Sequence, residues 1–211
     1  MLEKLFHKKN IVFEKLDRIG EIWVLHLLWL LCSIPLITIG ASTSALFYSM
    51  LKLRVKEGKI TANFFKSFRE NLVQATCLLV IYGGIGTVIG LGILKGGQVM
   101  RIGAFVLAIP YFMSLIYIFA IEAKFANTTK NLMFYSFIVP IRHWMMTLQM
   151  MLCVGLVGYL NYQYRIANYL MLSFGVGVIV YYLSGYFQKI FVHYIPDSKP
   201  QVASTKEETN E

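Results

Sequence analysis

The stretch Ile22–Leu51, IWVLHLLWLLCSIPLITIGASTSALFYSML, runs thirty residues without a formal charge. The hydrocarbon core of a bilayer is about 30 Å thick, so about 20 apolar residues cross it as a helix. The stretch is too long for one comfortable span and short for two. Pro35 and Gly40 also interrupt it near the middle. Proline lacks a backbone donor and disfavours straight helix, so a bend is expected there.

Four more apolar runs follow: Leu72–Leu94, Ile102–Ile121, Trp144–Tyr164 and Ile166–Gln188. Each has the length of a membrane helix and none contains Asp, Glu, Lys or Arg. The chain is 57% hydrophobic with mean hydropathy +0.59, well above a soluble domain. A soluble bundle would need polar faces on these helices, and they have none. The fold class is therefore all-α, a polytopic transmembrane helical bundle with five or six membrane segments and amphipathic interfacial helices.

Positive charge orders the topology. Lys and Arg accumulate on the cytoplasmic side of membrane proteins. If Ile22–Leu51 crosses once, the 20 basic residues divide twelve to eight, whichever way the chain is oriented. If it enters and returns, seventeen fall on one side and three on the other. A bent hairpin turning near Pro35–Gly40 is therefore expected, with both termini cytoplasmic. Pro35, Thr38 and Gly40 shape it, and Thr38 or Ser42 caps the returning helix. Half of the run is about 15 residues, or about 22 Å of helix. The arms must therefore extend into flanking residues, or the hairpin re-enters only part of the bilayer. A single kinked span is the alternative.

Residues 1–195 read as one integral membrane domain, and 196–211 as a disordered polar tail. Leu2, Leu5, Phe6, Val12, Phe13, Leu16 and Ile19 recur at helical spacing, which predicts an amphipathic interfacial helix over 1–20. Glu3, Glu14, Asp17 and Glu21 break the acid-free pattern of a cleaved leader. A second surface segment begins at Thr61, a candidate N-cap, with Phe64, Phe65, Phe68 and Leu72 on one face. A third runs from about Thr128 to Ile138, ending near Pro140. On the opposite side, Tyr159, Tyr162, Tyr164 and Tyr169 around Arg165 suggest an interfacial aromatic belt, and Trp23 and Trp144 mark the inner interface.

Signatures of chemistry are sparse. The four histidines make no HxxxH pair, and no phosphate loop, GxSxG elbow or CxxC is present. Cys32, Cys77 and Cys153 lack metal-ligand spacing, and their odd count argues against a disulfide framework. No enzyme activity, cofactor or metal is expected. Nor is nucleic-acid binding, because the net charge of +9 comes with no such motif. All eleven Asp and Glu lie outside the apolar runs. Coupled transporters commonly keep ionisable groups inside the bilayer, so coupled transport is disfavoured. Glu122 stands at a run's boundary beside Lys124, where it reads as a local ion pair or as part of a partner contact. Gly86–Gly90 and Ser173–Gly177 are small-residue pairs at four-residue spacing, suited to close helix packing.

The stretch Leu28–Leu53, with Trp29, Pro35, Thr38, Gly40, Ala41, Ala45, Tyr48 and then Lys52, resembles the YesL-like family of bacterial membrane proteins. The segments Phe64–Phe68 and Phe125, Asn127 and Thr128 fit the same pattern, and the resemblance extends over residues 1–195. It implies a membrane domain of unknown function, found in Gram-positive bacteria and encoded beside carbohydrate ABC transporters. No catalytic residue comes with it. The expectation is a non-enzymatic accessory component of carbohydrate ABC transport, with the bilayer and possible permease subunits as partners. A stand-alone carrier or channel and a membrane sensor are the alternatives. Phe65, Phe68, Glu122, Lys124, Phe125 and Asn127 are the candidate partner contacts, and the oligomeric state is open.

Overall fold

The computed structural model describes residues 2–125 and 127–192, with side chains from residue 16 onward apart from 167, 172 and 174. Among these residues all regular structure is helical. Helix α1 spans Leu2–Cys32, a short 3-10 turn spans Leu36–Thr38, and α2 spans Ile39–Arg54. Then come α3 (Ile60–Lys95), α4 (Gln98–Lys124), α5 (Thr129–Arg142) and α6 (Trp144–Gln163). Helix α7 (Arg165–Leu170) continues through a π-helical turn, Met171–Gly175, into α8 (Val176–Val192). Helices α3, α4, α6 and the stretch Leu36–Arg54 are long and apolar enough to cross a membrane, and α8 is a shorter apolar helix. The tail 196–211 and the side chains on the proposed amphipathic face up to residue 15 lie outside the described residues.

The uncharged run does fold back. The hydroxyls of Ser33 and Ser42 lie 2.6 Å apart, and the Trp29 indole donates to Thr43 Oγ1 at 3.2 Å. Far from the turn, Arg18 and Arg54 both reach Tyr181. Helix α1 therefore descends beside α2 as an antiparallel partner. Its two expected parts, surface helix and hairpin arm, form one helix of 31 residues, about 46 Å long.

The turn uses the expected residues in different roles. Thr38 makes no side-chain cap bond to α2. Its hydroxyl sits 2.6 Å from Cys32 O and 2.7 Å from Pro35 O, so it closes the end of α1. Ser42 donates back to Ile39 O at 3.0 Å and does not cap either. Gly40 lies inside α2 and not at the bend. A Cβ there would meet the Ala75 carbonyl oxygen at 2.5 Å. Gly40 therefore sets how closely α2 and α3 approach, the close contact that small residues allow in membranes.

Helix α3 starts at Ile60, with Lys59 in the cap position and no side-chain cap bond, so Thr61 is not the cap. The turn before it needs Gly58 at φ +70° and Lys56 at φ 55°. Asn63 Nδ2 pins that turn by donating to Glu57 O at 2.8 Å. The expected surface segment and span are one helix of 36 residues, about 54 Å long. Helix α5 runs two residues past Pro140 before the chain breaks at His143.

The proposed small-residue pairs divide. Gly86 packs against α4, where a Cβ would meet Tyr111 Oη at 2.5 Å, but Gly90 faces open space. Gly177 packs on α1 with His26 Cβ at 2.9 Å from its virtual Cβ, whereas Ser173 is exposed. Lipid tails give apolar side chains no drive to pair, so hydrogen bonds and close packing hold such bundles. Here Tyr82, Ser114 and Ser136 bring α3, α4 and α5 together through three buried hydroxyls. The hydroxyls of Tyr117 and Thr147 lie 2.8 Å apart and tie α4 to α6.

The hairpin and the α3–α4 pair reach different heights. Thr76 Oγ1, which donates to Leu72 O at 2.7 Å, also lies 3.2 Å from Ile37 O, so the hairpin tip stands level with Thr76 on α3. From Thr76 to Lys95, α3 continues for about 28 Å more.

Candidate functional site

Charged and polar groups collect at the end of the bundle away from the tip. Arg54, at the end of α2, donates from Nε to Ser184 Oγ at 2.7 Å and from Nη2 to Tyr181 O. Its guanidinium also lies over the Tyr181 ring, 4.1 Å from the centroid. Planar, multivalent geometry of this kind is specific to arginine, and it fastens α2 to α8.

Beside it, Lys52 and Glu57 form an ion pair. The Lys52 ammonium holds the exposed Glu57 carboxyl below the usual carboxylate range. Both line a cleft of 490 Å³ with Tyr48, Lys124, Gln188 and Phe191. A smaller hollow of 210 Å³ adjoins it, lined by Ile121, Phe125, Asn127, Tyr135 and Phe191. Phe191 borders both, and its ring meets that of Phe125 edge-on at 5.2 Å.

Glu122 lines neither opening. It is 3% exposed, and neither carboxylate oxygen has a hydrogen-bond partner. It faces α2, where the buried Ser44 hydroxyl is its polar neighbour, near the carboxyl but outside hydrogen-bond geometry. Among the described residues the ion pair is Lys52–Glu57 and not Glu122–Lys124. Glu122 is thus an inward group and not a surface contact. An unpaired buried carboxylate is costly, and such groups cluster at functional sites.

The other expected contacts remain at the periphery. Phe65 is 44% exposed, and its ring meets Phe64 edge-on. Phe68 is half-buried and stacks on Phe64. Lys124 is exposed and opens onto the cleft. Asn127 shapes the entry to α5: Gln74 Nε2 donates to its carbonyl at 2.7 Å, and Asn131 Nδ2 donates to its side chain at 2.9 Å. Phe125 and Asn127 share the hollow, while Phe65 and Phe68 sit with the α3 segment before the span. Arg54 was not singled out in the sequence, where it reads as one cation among several.

Residues 22–93 match a family model described as a protein of unknown function, DUF624. The match covers the last eleven residues of α1, the turn, α2 and all but the last two residues of α3, and stops short of α4. No curated protein and no solved structure matches the chain. The match includes Pro35, Thr38 and Gly40 but leaves out Glu122 and the cleft's α4 and α8 walls.

Proposed function

We propose that this is a non-enzymatic membrane protein of the YesL-like type that works beside a carbohydrate ABC permease, with both termini in the cytoplasm. The observation that carries this reading is where the open space lies. The interior hydroxyls of Tyr82, Ser114, Ser136, Tyr117 and Thr147 are paired with one another between helices, while those of Ser44 and Ser49 are buried without a partner. The cleft and hollow open at the charged end. That arrangement suits a partner segment docking from the charged side better than a solute passing through. The cleft offers Lys52, Lys124 and Gln188 to a polar or acidic segment, and Phe125 gives it an apolar edge. The resemblance of Leu28–Leu53 to the YesL-like pattern supplies the sugar-transport context.

A second reading, a stand-alone carrier, is favoured by one group. Glu122 is a buried acid with no cationic partner among the described residues, as ion- and proton-dependent carriers place such groups. One experiment separates the two. The tagged protein is crosslinked in its native host, extracted in mild detergent, and its companions identified by mass spectrometry. A stoichiometric sugar permease, absent from a mock-tag control and lost on Lys124→Glu, supports the accessory reading. A solitary protein that moves solute in liposomes, and stops on Glu122→Gln, replaces it with the carrier. A solitary protein without flux, whose deletion alters transcription while the permease still works, points to a sensor.

A further inference from the structure

We propose that the α1–α2 hairpin is re-entrant: it enters the bilayer from the charged side, places its Ser33–Thr38 tip among the acyl chains of that leaflet, and returns without crossing. Three independent features lead there.

The first is height. On α3 the last charge before the apolar stretch is Glu70 and the next is Lys95. The uncharged part between them is about 35 Å long, enough to cross the hydrocarbon core. The tip is level with Thr76, only about 9 Å beyond Glu70 and about 28 Å short of Lys95. If α3 and α4 cross the bilayer, the tip ends in the leaflet nearer the charged end.

The second is the chemistry of the tip. Ile34, Leu36 and Ile37 are 73%, 76% and 69% exposed. A loop emerging into water on the far side would place three large apolar side chains in solvent. The same side chains are at home among acyl chains.

The third is how the turn treats its backbone. Irregular backbone at membrane depth must find partners within the protein. The one proton of Thr38 Oγ1 is shared between the carbonyls of Cys32 and Pro35, and Thr76 Oγ1, which also donates to Leu72 O at 2.7 Å, reaches that of Ile37. Ser33 N and Thr38 N donate to Trp29 O and Pro35 O, both at 2.9 Å. Pro35 brings no N–H to satisfy.

The test uses the full chain in liposomes, with Cys32, Cys77 and Cys153 replaced by Ala and melting checked against the parent. Single cysteines are placed by Glu57→Cys, Gly97→Cys and Leu36→Cys, and treated with a membrane-impermeant maleimide from each side. Glu57→Cys and Gly97→Cys are expected to react from opposite sides, and Leu36→Cys from neither. A spin label on Leu36→Cys is then expected to sense dissolved oxygen strongly and a water-soluble nickel chelate weakly. Reaction of Leu36→Cys from the Gly97 side means full crossing and overturns the proposal. Reaction from the Glu57 side means a tip in water, and also overturns it. Protection from oxygen and nickel alike means the tip is covered by protein, which replaces lipid as its occupant. Glu57→Cys and Gly97→Cys reacting from one side would remove the crossing on which the inference rests.

Discussion

Replacing Gly40 by alanine sets two effects against each other, and the structure decides which wins. In a helix interior alanine is favoured over glycine by about 1 kcal/mol. At Gly40 the added Cβ would lie 2.5 Å from Ala75 O and 3.1 Å from Ala75 C, both backbone atoms that cannot rotate aside. Ordinary contact begins at 3.4 Å, so α2 and α3 must part by about 0.9 Å along their most extensive interface. Overpacking of this kind costs about 1–3 kcal/mol, and rigid backbone on both sides puts it near the top of that range. The net is a loss of about 2 kcal/mol, or about 4–8 °C in melting temperature for a chain of this size. Gly83 and Gly84 lie on α3, and nothing is within 4 Å of a Cβ at either. Gly83→Ala and Gly84→Ala should therefore raise the melting temperature slightly. The assay is thermal unfolding in one detergent for all three variants. A Gly40→Ala protein as stable as Gly83→Ala would refute the close α2–α3 approach. Gly40→Leu is expected to abolish assembly, seen as loss of membrane-inserted protein.

Other perturbations probe the charged end. Glu122→Gln preserves the shape of a buried acid that has no cationic partner among the described residues, so it should melt at least as high as the parent near neutral pH. A large drop would expose an ionic partner. Arg54→Lys cannot reproduce the bonds to Ser184 and Tyr181 together with the ring contact, so a loss of about 1–3 kcal/mol is expected in detergent unfolding. Unchanged melting would show that α8 is held without it. Glu57 has a folded-state pKa below its ordinary 4.5 because Lys52 hydrogen-bonds it. Its stabilisation is present above pH 4.5 and fades as acid protonates it in the folded state. Because Glu57 is exposed, the effect is small and weakens with salt. The acid slope of melting should flatten in Glu57→Gln and in high salt, and an unaltered slope counts against the pair.

Much of the architecture is legible in the sequence because charge and apolar length are strong constraints in a bilayer. The reversal at Pro35 follows from the division of Lys and Arg, and the helices from uncharged runs of sufficient length. Helix merging is less legible. Phe64–Leu72 has the spacing of a surface helix, but no Pro or Gly separates it from Leu72–Leu94, so the backbone continues straight through. The height of the hairpin was open for the same reason, since it depends on where α2 docks along an α3 of unforeseen length. Glu122 illustrates a deeper limit. In sequence it neighbours Lys124, but two residues along a helix point in different directions. Only the docking of α2 shows that Glu122 faces inward and Lys124 outward. The hydroxyl contacts of Tyr82 and Ser114 carry no sequence signal beyond a polar atom in an apolar run.

The three-helix junction at Tyr82, Ser114 and Ser136 also has a consequence for motion. Its three hydroxyls own three protons, and besides their mutual contacts Ser136 reaches Met133 O at 2.6 Å. Three donors therefore serve four contacts: with Ser136 turned to Met133 O the triangle keeps two bonds, and with Ser136 turned to a neighbour it closes with three, in either sense. Reversing that sense exchanges one set of bonds for an equivalent one without any charge moving. The junction of α3, α4 and α5 thus behaves as a polar ball joint: α5 can tilt a little while the ring of protons re-sorts, and the helices stay coupled in a medium that offers no water to replace them.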